Sequence, residues 1–310
     1  MLGREQRRRC ERARQHHRGA VHHHVAGAEG DAGLRHPGRC GHARRRVTGR
    51  RAAHVRERRG RALSIPPSYD PDAPAPLIFN LHGSGSNALQ ASVYGDVPHR
   101  AAEKGYIVVT PEAIDGKWEL AGTGADGDFL IGLLDDIEGR YCIDQDQTHI
   151  MGMSLGAWKA AATACLSPPR FASAVLVTVE VFPGTCEPLP VLAFHGTGDH
   201  VVPYGEGADP GVTVTGFNAN LPGAIANIEA WAANGGCGPE PEVSDIGEDV
   251  VLRRFTGCDP GIDVALYTIE GGDHTWPGAG IEIAPPDGTT QTIDATDLAL
   301  EWFADHPRHD

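Results

Sequence analysis

The sequence predicts an α/β protein built on a doubly wound, mostly parallel sheet with helices on both faces. Two observations predict this class. Short, nearly continuous apolar runs are typical of strands that are covered on both faces, and segments with apolar residues at helical spacing separate these runs. Because ligands of such sheets bind beyond the carboxyl ends of the strands, we expect the chemistry in the loops that follow strands.

The predicted strands are runs of apolar and β-branched residues that end at Pro, Gly or Asp. Pro66 and Pro111, for example, each stop such a run. In chain order the predicted strands cover residues 61–65, 77–81, 106–110, the run before Ser154, 172–181, 191–196, 250–256 and 264–269.

The predicted helices lie between these strands. Apolar residues recur at helical spacing from Phe129 to Ile137, and Pro168 ends the helix that follows Ser154. In chain order, helices are predicted over residues 88–104, 129–141, from Ser154 to about 166, 222–233 and 292–304. No run of about 18 apolar residues is present, so no transmembrane helix is predicted.

Residues 1–60 differ in composition from the rest of the chain. They contain 17 Arg, five acidic residues and half of the 16 His, but no Ser, Lys, Ile, Phe, Tyr or Trp. Their formal charge is +12, whereas residues 61–310 carry −26. Such a segment cannot bury enough apolar surface to fold. We therefore predict a disordered segment at 1–60, which we interpret as GC-rich DNA read outside the native coding sequence, and one domain at 61–310.

The stretch Gly152-Met153-Ser154-Leu155-Gly156 joins a predicted strand directly to a predicted helix. This is the context that a G-x-S-x-G nucleophile elbow requires. The sharp turn crowds the positions two before and two after the serine, so both must be small. The Ser154 hydroxyl would then lie beside the amides of the helix N-terminus, and the N–H of Leu155 is a predicted oxyanion donor.

A serine hydroxyl needs a base that takes its proton and an acid that holds this base, and in this layout the chain order is Ser, acid, His. His274 lies in a Gly-rich loop after the last predicted strand, and Asp199 is the first carboxylate after strand 191–196. His200 adjoins Asp199 and Asp273 adjoins His274, and side chains of chain neighbours point apart. Ser154, Asp199 and His274 are therefore the predicted catalytic triad.

Two further loops are candidates for the substrate site. His82-Gly83-Ser84-Gly85-Ser86 follows strand 77–81, and a main-chain N–H at or near Ser84 is the second predicted oxyanion donor. The alternative is a simple strand-end turn. Trp118 lies in the loop 112–127, where it either lines the pocket or packs under its own loop.

Five motifs together resemble one family. They are Leu81-His82-Gly83, Tyr141-Cys142-Ile143-Asp144, the elbow, His195-Gly196-Thr197-Gly198-Asp199, and Gly272-Asp273-His274-Thr275-Trp276-Pro277-Gly278. From about residue 61 to 304 the chain resembles the polyhydroxybutyrate depolymerase-like esterases, which grade into feruloyl and acetylxylan esterases. The resemblance implies a secreted serine esterase with an α/β-hydrolase fold and neither a metal nor an organic cofactor.

The substrate pocket is less well defined by the sequence. Trp276 is predicted either to form a wall that stacks on an acyl or aryl group or to brace its own loop, and His82 is a further predicted pocket residue. The chain departs from the family at Leu155-Gly156-Ala157, where members carry Asn-Gly-Gly, and at Trp118-Glu119, where they carry Trp-Asn. The added carboxylate and the domain charge of −26 would discourage acidic substrates.

Five cysteines lie in the predicted domain. Cys237 and Cys258 flank one predicted strand and are the favoured disulfide pair. Cys142 is predicted to meet either Cys165 or Cys186. No C-x-x-C spacing is present, so no zinc site is predicted.

The sequence therefore predicts an extracellular carboxylic-ester hydrolase that acts as a monomer on a small-molecule or polymeric ester, although no signal peptide is readable. Two alternatives remain open. One is a serine peptidase-like hydrolase on the same fold, and the other is a non-catalytic α/β-hydrolase that serves as a binding module. Neither a membrane nor a nucleic-acid partner is predicted, because only the Arg-rich residues 1–60 would favour nucleic acid.

Overall fold

One sheet forms the centre of the protein in a computed structural model that describes residues 59–205, 222–281 and 288–308. Its strands in chain order are β1 Arg61–Ser64, β2 Ala75–Leu81, β3 Ile107–Pro111, β4 Ile143–Met153, β5 Ala174–Val177, β6 Val191–Gly196, β7 Glu242–Asp245, β8 Val250–Phe255 and β9 Val264–Ile269. Within the described ranges the nine strands lie in the order β1-β3-β2-β4-β5-β6-β9-β8-β7.

Most of the sheet is parallel. The neighbours from β3 through β2, β4, β5 and β6 to β9 run parallel, and the outer strands β1, β8 and β7 are antiparallel. The predicted doubly wound, mostly parallel sheet is confirmed. As a result, the carboxyl ends of β2, β4, β6 and β9 lie at one edge of the sheet, where the loops of interest begin.

The helices lie between the strands as predicted. They are α1 Ala88–Tyr94, α2 Val97–Glu103, α3 Ala125–Arg140, α4 Leu155–Ala164, α5 Ala224–Asn234 and α6 Ala295–Asp305. The helical character predicted for residues 88–104 is confirmed, and the segment forms two helices. Asp96 has a left-handed φ of 49°, which divides this segment into α1 and α2. Within the described ranges, no helix has the length and apolar character that crossing a bilayer requires.

Helices cover both faces of the sheet. Successive side chains of a strand point to opposite faces, so apolar residues of one strand pack against helices on both sides. In β2, Leu77 and Phe79 pack in the layer that contains α3, α4 and α5, whereas Ile78 packs in the layer that contains α1, α2 and α6. All three side chains are fully buried, and burial of each contributes about 1.5–3 kcal/mol.

Strand β7 has no counterpart in the sequence-based prediction. Its four residues are all exposed, so they form no apolar run that would reveal a strand. It is an edge strand that pairs with β8, and Glu242 lies opposite Arg254 in the register. Opposite charges at directly facing positions stabilise such a pair modestly.

The prediction for residues 1–60 falls almost entirely outside the described residues and stays a prediction. The two described residues of this segment contact the domain. Arg59 forms an ion pair with Asp126, and its guanidinium lies 4.7 Å from the centre of the Phe129 ring. The carbonyl of Gly60 accepts a hydrogen bond from Glu112 N at 3.0 Å. The folded part therefore begins no later than Arg59.

The favoured disulfide is confirmed, because Cys237 bonds Cys258 across a sequence separation of 21 residues. Cys165 bonds Cys186, also across 21 residues. Both partners suggested for Cys142 are therefore taken by each other, and these two predicted alternatives are wrong. Cys165 directly follows α4, and Cys237 follows α5 by three residues. Each disulfide therefore ties the chain close to the C-terminal end of a helix.

His149 of β4 is a histidine of the core rather than of the site. Its Nδ1 lies 2.9 Å from Ser173 Oγ, and its ring stacks on Phe303 at 4.6 Å between centres. Burial, with a smaller contribution from the charge of His306, lowers the pKa of His149 to about 3. The folded protein therefore holds this imidazole in its neutral form.

Replacing His149 should weaken the acid sensitivity of the fold. The unfolded chain binds a proton at this residue near pH 6.5, whereas the folded chain binds it only near 3, so protonation favours unfolding as the pH falls between these values. Over this range, the effect of His149 should lower the free energy of unfolding by about 1.4 kcal/mol for each pH unit of acidification. We expect His149→Leu to remove this part of the slope in urea unfolding measured between about pH 7 and about pH 4.5.

The matched control for this prediction is His99→Leu, because the side chain of His99 is 72% exposed. This variant should keep the slope of the unchanged protein. An identical pH slope in His149→Leu and the unchanged protein would contradict the assignment of a buried neutral imidazole.

Candidate active site

The turn between β4 and α4 holds Ser154 in a conformation that side chains rarely adopt, with a φ of 57° and a ψ of −127°. A Cβ atom on Gly152 would lie 2.5 Å from the carbonyl oxygen of Gly156. A Cβ atom on Gly156 would lie 2.2 Å from the carbonyl oxygen of Leu81. Both positions therefore require glycine, as the elbow pattern predicts.

Backbone hydrogen bonds fix this turn from both sides. The Ser154 N–H donates to Val177 O at 2.9 Å, and the Ser154 carbonyl accepts from Trp158 N at 3.1 Å. Leu155 is the first residue of α4, and an N–H at this position has no partner inside its helix. Because the partial positive charge of a helix N-terminus lies here, this N–H can stabilise an anion.

Asp199 and His274 are in direct contact. Nδ1 of His274 lies 2.7 Å from Oδ2 of Asp199. Oδ1 of Asp199 accepts the N–H groups of Val201 and Val202, each at 2.8 Å. The Asp199 side chain is fully buried, while that of His274 is 14% exposed. This hydrogen bond places the proton of a neutral imidazole on Nδ1, so Nε2 is left as the basic nitrogen.

Two opposing effects act on the Asp199 carboxyl. Burial on its own raises the pKa of Asp199, but the His195 ring 3.4 Å away and the hydrogen bond from His274 outweigh burial and hold this pKa well below its usual range. Asp199 is therefore an anion at neutral pH.

Ser154 and His274, both in the described part of the chain, lie at the same edge of the sheet without a hydrogen bond between them. Ser154 follows β4 and His274 follows β9, and their loops extend from the same edge of the sheet. Among the described residues, no hydrogen bond joins the Ser154 hydroxyl to the His274 ring. In hydrolases without a ligand this bond is often long, and it tightens when substrate is bound.

The loop after β2 approaches Ser154 with its backbone. A Cβ atom on Gly83 would lie 3.4 Å from the Cβ of Ser154. The N–H groups of Gly85 and Ser86 donate to carbonyl oxygens of nearby residues. The Ser84 N–H donates to no carbonyl in the described part of the chain, so it is available to a ligand.

His82 and Trp118 lie inside the protein, at 2% and 4% exposure. His82 uses both ring nitrogens within the protein, because Nδ1 lies 2.7 Å from Gly83 O and Nε2 accepts the Ala113 N–H at 3.1 Å. Burial lowers the pKa of His82. Trp118 donates from Nε1 to the His82 carbonyl at 2.9 Å. The structure therefore favours loop packing over pocket lining for both residues.

Trp276 is also buried, at 4% exposure. Its Nε1 donates to Thr296 Oγ1 at 3.0 Å, and its backbone N–H donates to the Tyr94 hydroxyl at 3.1 Å. A Cβ atom on Gly95 would lie 2.6 Å from the indole ring. Of the two predicted roles, the structure favours the bracing of the loop that carries His274.

Sequence reasoning missed two histidine–carboxylate contacts around Asp199 and His274. His200 pairs with Asp273 at 2.6 Å, so the chain neighbours of Asp199 and His274 also pair with each other. Beneath them, His195 lies 2.8 Å from Glu180, and both are fully buried. The repeated Asp-His dipeptide after two strands was a signal for the first pair. Nothing in the sequence connects Glu180 with His195.

In residues 59–205, 222–281 and 288–308, no three or more His, Cys, Asp or Glu side chains form a group that could hold a metal ion.

Sequence comparison finds esterases, although no family model matches the chain. A feruloyl esterase B of Piromyces equi is 28% identical over 227 residues, which is 68% of this chain and 42% of that protein. A feruloyl esterase C of Emericella nidulans is 29% identical over 72% of this chain and 79% of that protein. The chain resembles the feruloyl esterases. The feruloyl esterase part of the predicted resemblance is thereby confirmed, and the chain spans less than half of the Piromyces protein.

Comparison with solved structures confirms the α/β-hydrolase fold. An acetyl xylan esterase from Aspergillus awamori matches with a TM-score of 0.56 and 14% identity, over 80% of this chain and 94% of that one. A butyrate-bound esterase from Thermogutta terrifontis matches with a TM-score of 0.52 and 14% identity, over 79% and 88%. At this identity the likeness concerns the fold alone.

The glycine requirement at the elbow can be tested by stability. In Gly156→Ala the new methyl group would meet the Leu81 and His82 carbonyls at 2.2 and 2.5 Å, so we expect a loss of more than about 2 kcal/mol of unfolding free energy. Gly132→Ala in α3 is the matched control, since its Cβ meets nothing within 4 Å. That variant should gain roughly 0.5–1 kcal/mol. Equal midpoints of the two variants in urea would contradict the close approach.

Proposed function

We propose that this chain is a carboxylic ester hydrolase in which Ser154 is the nucleophile, His274 the general base and Asp199 the acid that orients His274. The observation that carries the proposal is the 2.7 Å contact between Asp199 and His274, in loops on the sheet edge where the strained Ser154 turn lies. Similarity to feruloyl esterases supports the same reaction class.

The proposed reaction begins when Nε2 of His274 takes the proton of the Ser154 hydroxyl and Oγ attacks the ester carbonyl. Asp199 stabilises the imidazolium that forms. The N–H groups of Leu155 and Ser84 receive the developing oxyanion, and each such donor contributes about 3 kcal/mol to transition-state stabilisation. His274 then protonates the leaving alcohol, and water repeats the cycle on the acyl-enzyme.

For the substrate we propose an ester of an aryl acid such as a feruloyl ester, with acetyl and hydroxybutyrate esters as the comparison set. Similarity to feruloyl esterases B and C favours this choice. Small-molecule and polymeric forms of such esters are both candidates. The buried positions of His82, Trp118 and Trp276 assign none of these side chains to substrate contact.

We further propose that the protein is extracellular and acts as a monomer. Cys165–Cys186 and Cys237–Cys258 support an oxidising compartment, because disulfides are rare in reducing ones.

The proposed nucleophile can be tested by substitution and by labelling. We expect Ser154→Ala to lower kcat for a p-nitrophenyl ester by roughly 10⁵-fold and to abolish labelling by a fluorophosphonate, because no other group replaces the hydroxyl.

Asp199→Asn should lower kcat by about 10⁴-fold, because the amide favours the wrong tautomer of His274.

The matched control is Ser244→Ala, at an exposed position of edge strand β7, which should keep full activity and labelling. Persistent turnover or labelling in Ser154→Ala would rule out the proposed nucleophile.

The substrate proposal is tested by kcat/KM on a panel of neutral esters. A feruloyl ester should exceed acetyl and hydroxybutyrate esters of the same alcohol by about tenfold or more, which corresponds to about 1.4 kcal/mol of transition-state binding. A preference for the hydroxybutyrate ester would instead assign the chain to polyester hydrolysis.

A further inference from the structure

His195 lies directly behind the Asp199 carboxylate and takes no part in the proposed proton transfers. Its side chain is fully buried, and so is that of Glu180. Nδ1 of His195 lies 2.8 Å from Glu180 Oε2. Nε2 lies 2.8 Å from the carbonyl oxygen of Val202 and 3.4 Å from Asp199 Oδ2.

The partners of the His195 ring determine its protonation. A carboxylate and a backbone carbonyl can only accept, so each ring nitrogen of His195 faces an acceptor. A neutral imidazole carries one N–H and would leave a lone pair against one of these oxygens. Only the imidazolium donates to both sides.

The charges of the two buried acids point to the same state. The second oxygen of Glu180, Oε1, has no hydrogen-bond partner in the described part of the chain. Two buried carboxylates without a cation between them would repel each other, and burial of the unpartnered Glu180 oxygen would be costly. Burial on its own lowers the pKa of His195, but the charge and hydrogen bond of Glu180 and the nearby Asp199 carboxylate raise it well above the ordinary value.

We propose that His195 is a positioning residue of the active site, a permanent imidazolium that Glu180 holds against Asp199 and that orients the Asp199 carboxylate for His274. The inference depends on the proposed function, because it assigns His195 a role toward the same acid and base. His195 touches neither the substrate nor the Ser154 hydroxyl in this scheme.

The arrangement has a consequence for the base. Oδ2 of Asp199 is shared by His195 and His274. A fixed positive charge on one side of this oxygen weakens the attraction that the carboxylate exerts on a second proton at His274. His195 should therefore keep His274 neutral, and so competent as a base, to a lower pH than a neutral residue would.

Other titratable groups around the two rings are few. The Tyr204 ring lies 5.5 Å from that of His195, and its hydroxyl bonds Thr268, to which Arg253 also donates. Beside His274, the backbone N–H of His274 donates to Asp273, which pairs with the exposed His200. None of these groups lies between His195 and Asp199.

The first experiment detects the protons on His195 directly by NMR of the full chain with ¹⁵N-labelled histidine. We expect both ring nitrogens of His195 to carry a proton from about pH 5 to about pH 8.5, with signals assigned by their loss in His195→Gln. In Glu180→Gln one of the two N–H signals should vanish near neutral pH, because the charge that holds the proton is gone. A His195 ring that titrates near 6.5, or carries a single proton at pH 7, would overturn the proposal.

The second experiment measures the effect on the base. His195→Gln should raise the titration midpoint of His274 by about one pH unit and move the acidic limb of the kcat/KM profile upward by the same amount. A loss of packing alone would lower activity without moving this limb. His149→Leu, which changes another buried histidine away from the site, should leave the His274 midpoint in place.

The outcomes separate the two proposals. If the unchanged protein does not hydrolyse esters, the proposed function fails, while the NMR signals still decide the charge of His195. If His195→Gln does not fold, Glu180→Gln supplies both the NMR readout and the pH profile. An unmoved His274 midpoint in a folded variant that has lost the His195 charge refutes the positioning role.

Discussion

The close approach of two backbone segments, the β4–α4 turn and the end of β2 with its loop, is the constraint on which the site depends. Gly156 lies against the carbonyls that end β2, and Gly83 lies against Ser154 itself. In the register of the sheet, Leu81 of β2 is opposite Gly152 of β4. Ser154 and the proposed oxyanion loop are therefore positioned by main-chain contact, which at Gly156 leaves no room for a side chain.

The same principle applies to the acid and the base. Thr197 N donates to Ile269 O and Gly198 N donates to Gly272 O, so the loops after β6 and β9 are joined backbone to backbone before any side chain is involved. A Cβ atom on Gly196 would lie 2.1 Å from Gly272 O. The Asp199–His274 contact thus completes an arrangement that the two loops already impose.

The sequence predicts those parts of this arrangement that depend on residues close together in the chain. Buried parallel strands appear as apolar runs, and the elbow appears as two glycines around a serine, so the sheet and the order of Ser154, Asp199 and His274 can be read without coordinates. The division of 88–104 into two helices depends on one residue, Asp96, whose left-handed φ no periodicity reveals. The exposed strand β7 contains no apolar run from which a strand could be predicted.

Aromatic and ionisable side chains in loops were harder to place, because their partners come from distant parts of the chain. Trp276 is buried by Tyr94 and Thr296, which lie 182 and 20 residues away. His195 and Glu180 face each other only because β5 and β6 are neighbours. A loop tryptophan or a strand-end histidine looks the same in sequence whether it meets a substrate or the interior.

Glu119 illustrates how a departure from a family pattern can be explained locally. Its carboxylate accepts the N–H of Asp126 at 3.0 Å, and Asp126 accepts the N–H of Glu119. Asp126 lies in the first turn of α3, where a carboxylate stabilises the helix. The charge of Glu119 is thus engaged in holding a loop rather than directed at a substrate.

The effect of charge on substrates must then come from the domain as a whole, which carries −26 over residues 61–310. An ester that approaches this surface is neutral, whereas the acid that ester hydrolysis releases is an anion above its pKa. A negative field is indifferent to the first and repels the second. For the proposed reaction, the acidic composition would therefore favour release of the acid more than it would select the ester, and this bias would weaken as salt shortens the range of the field.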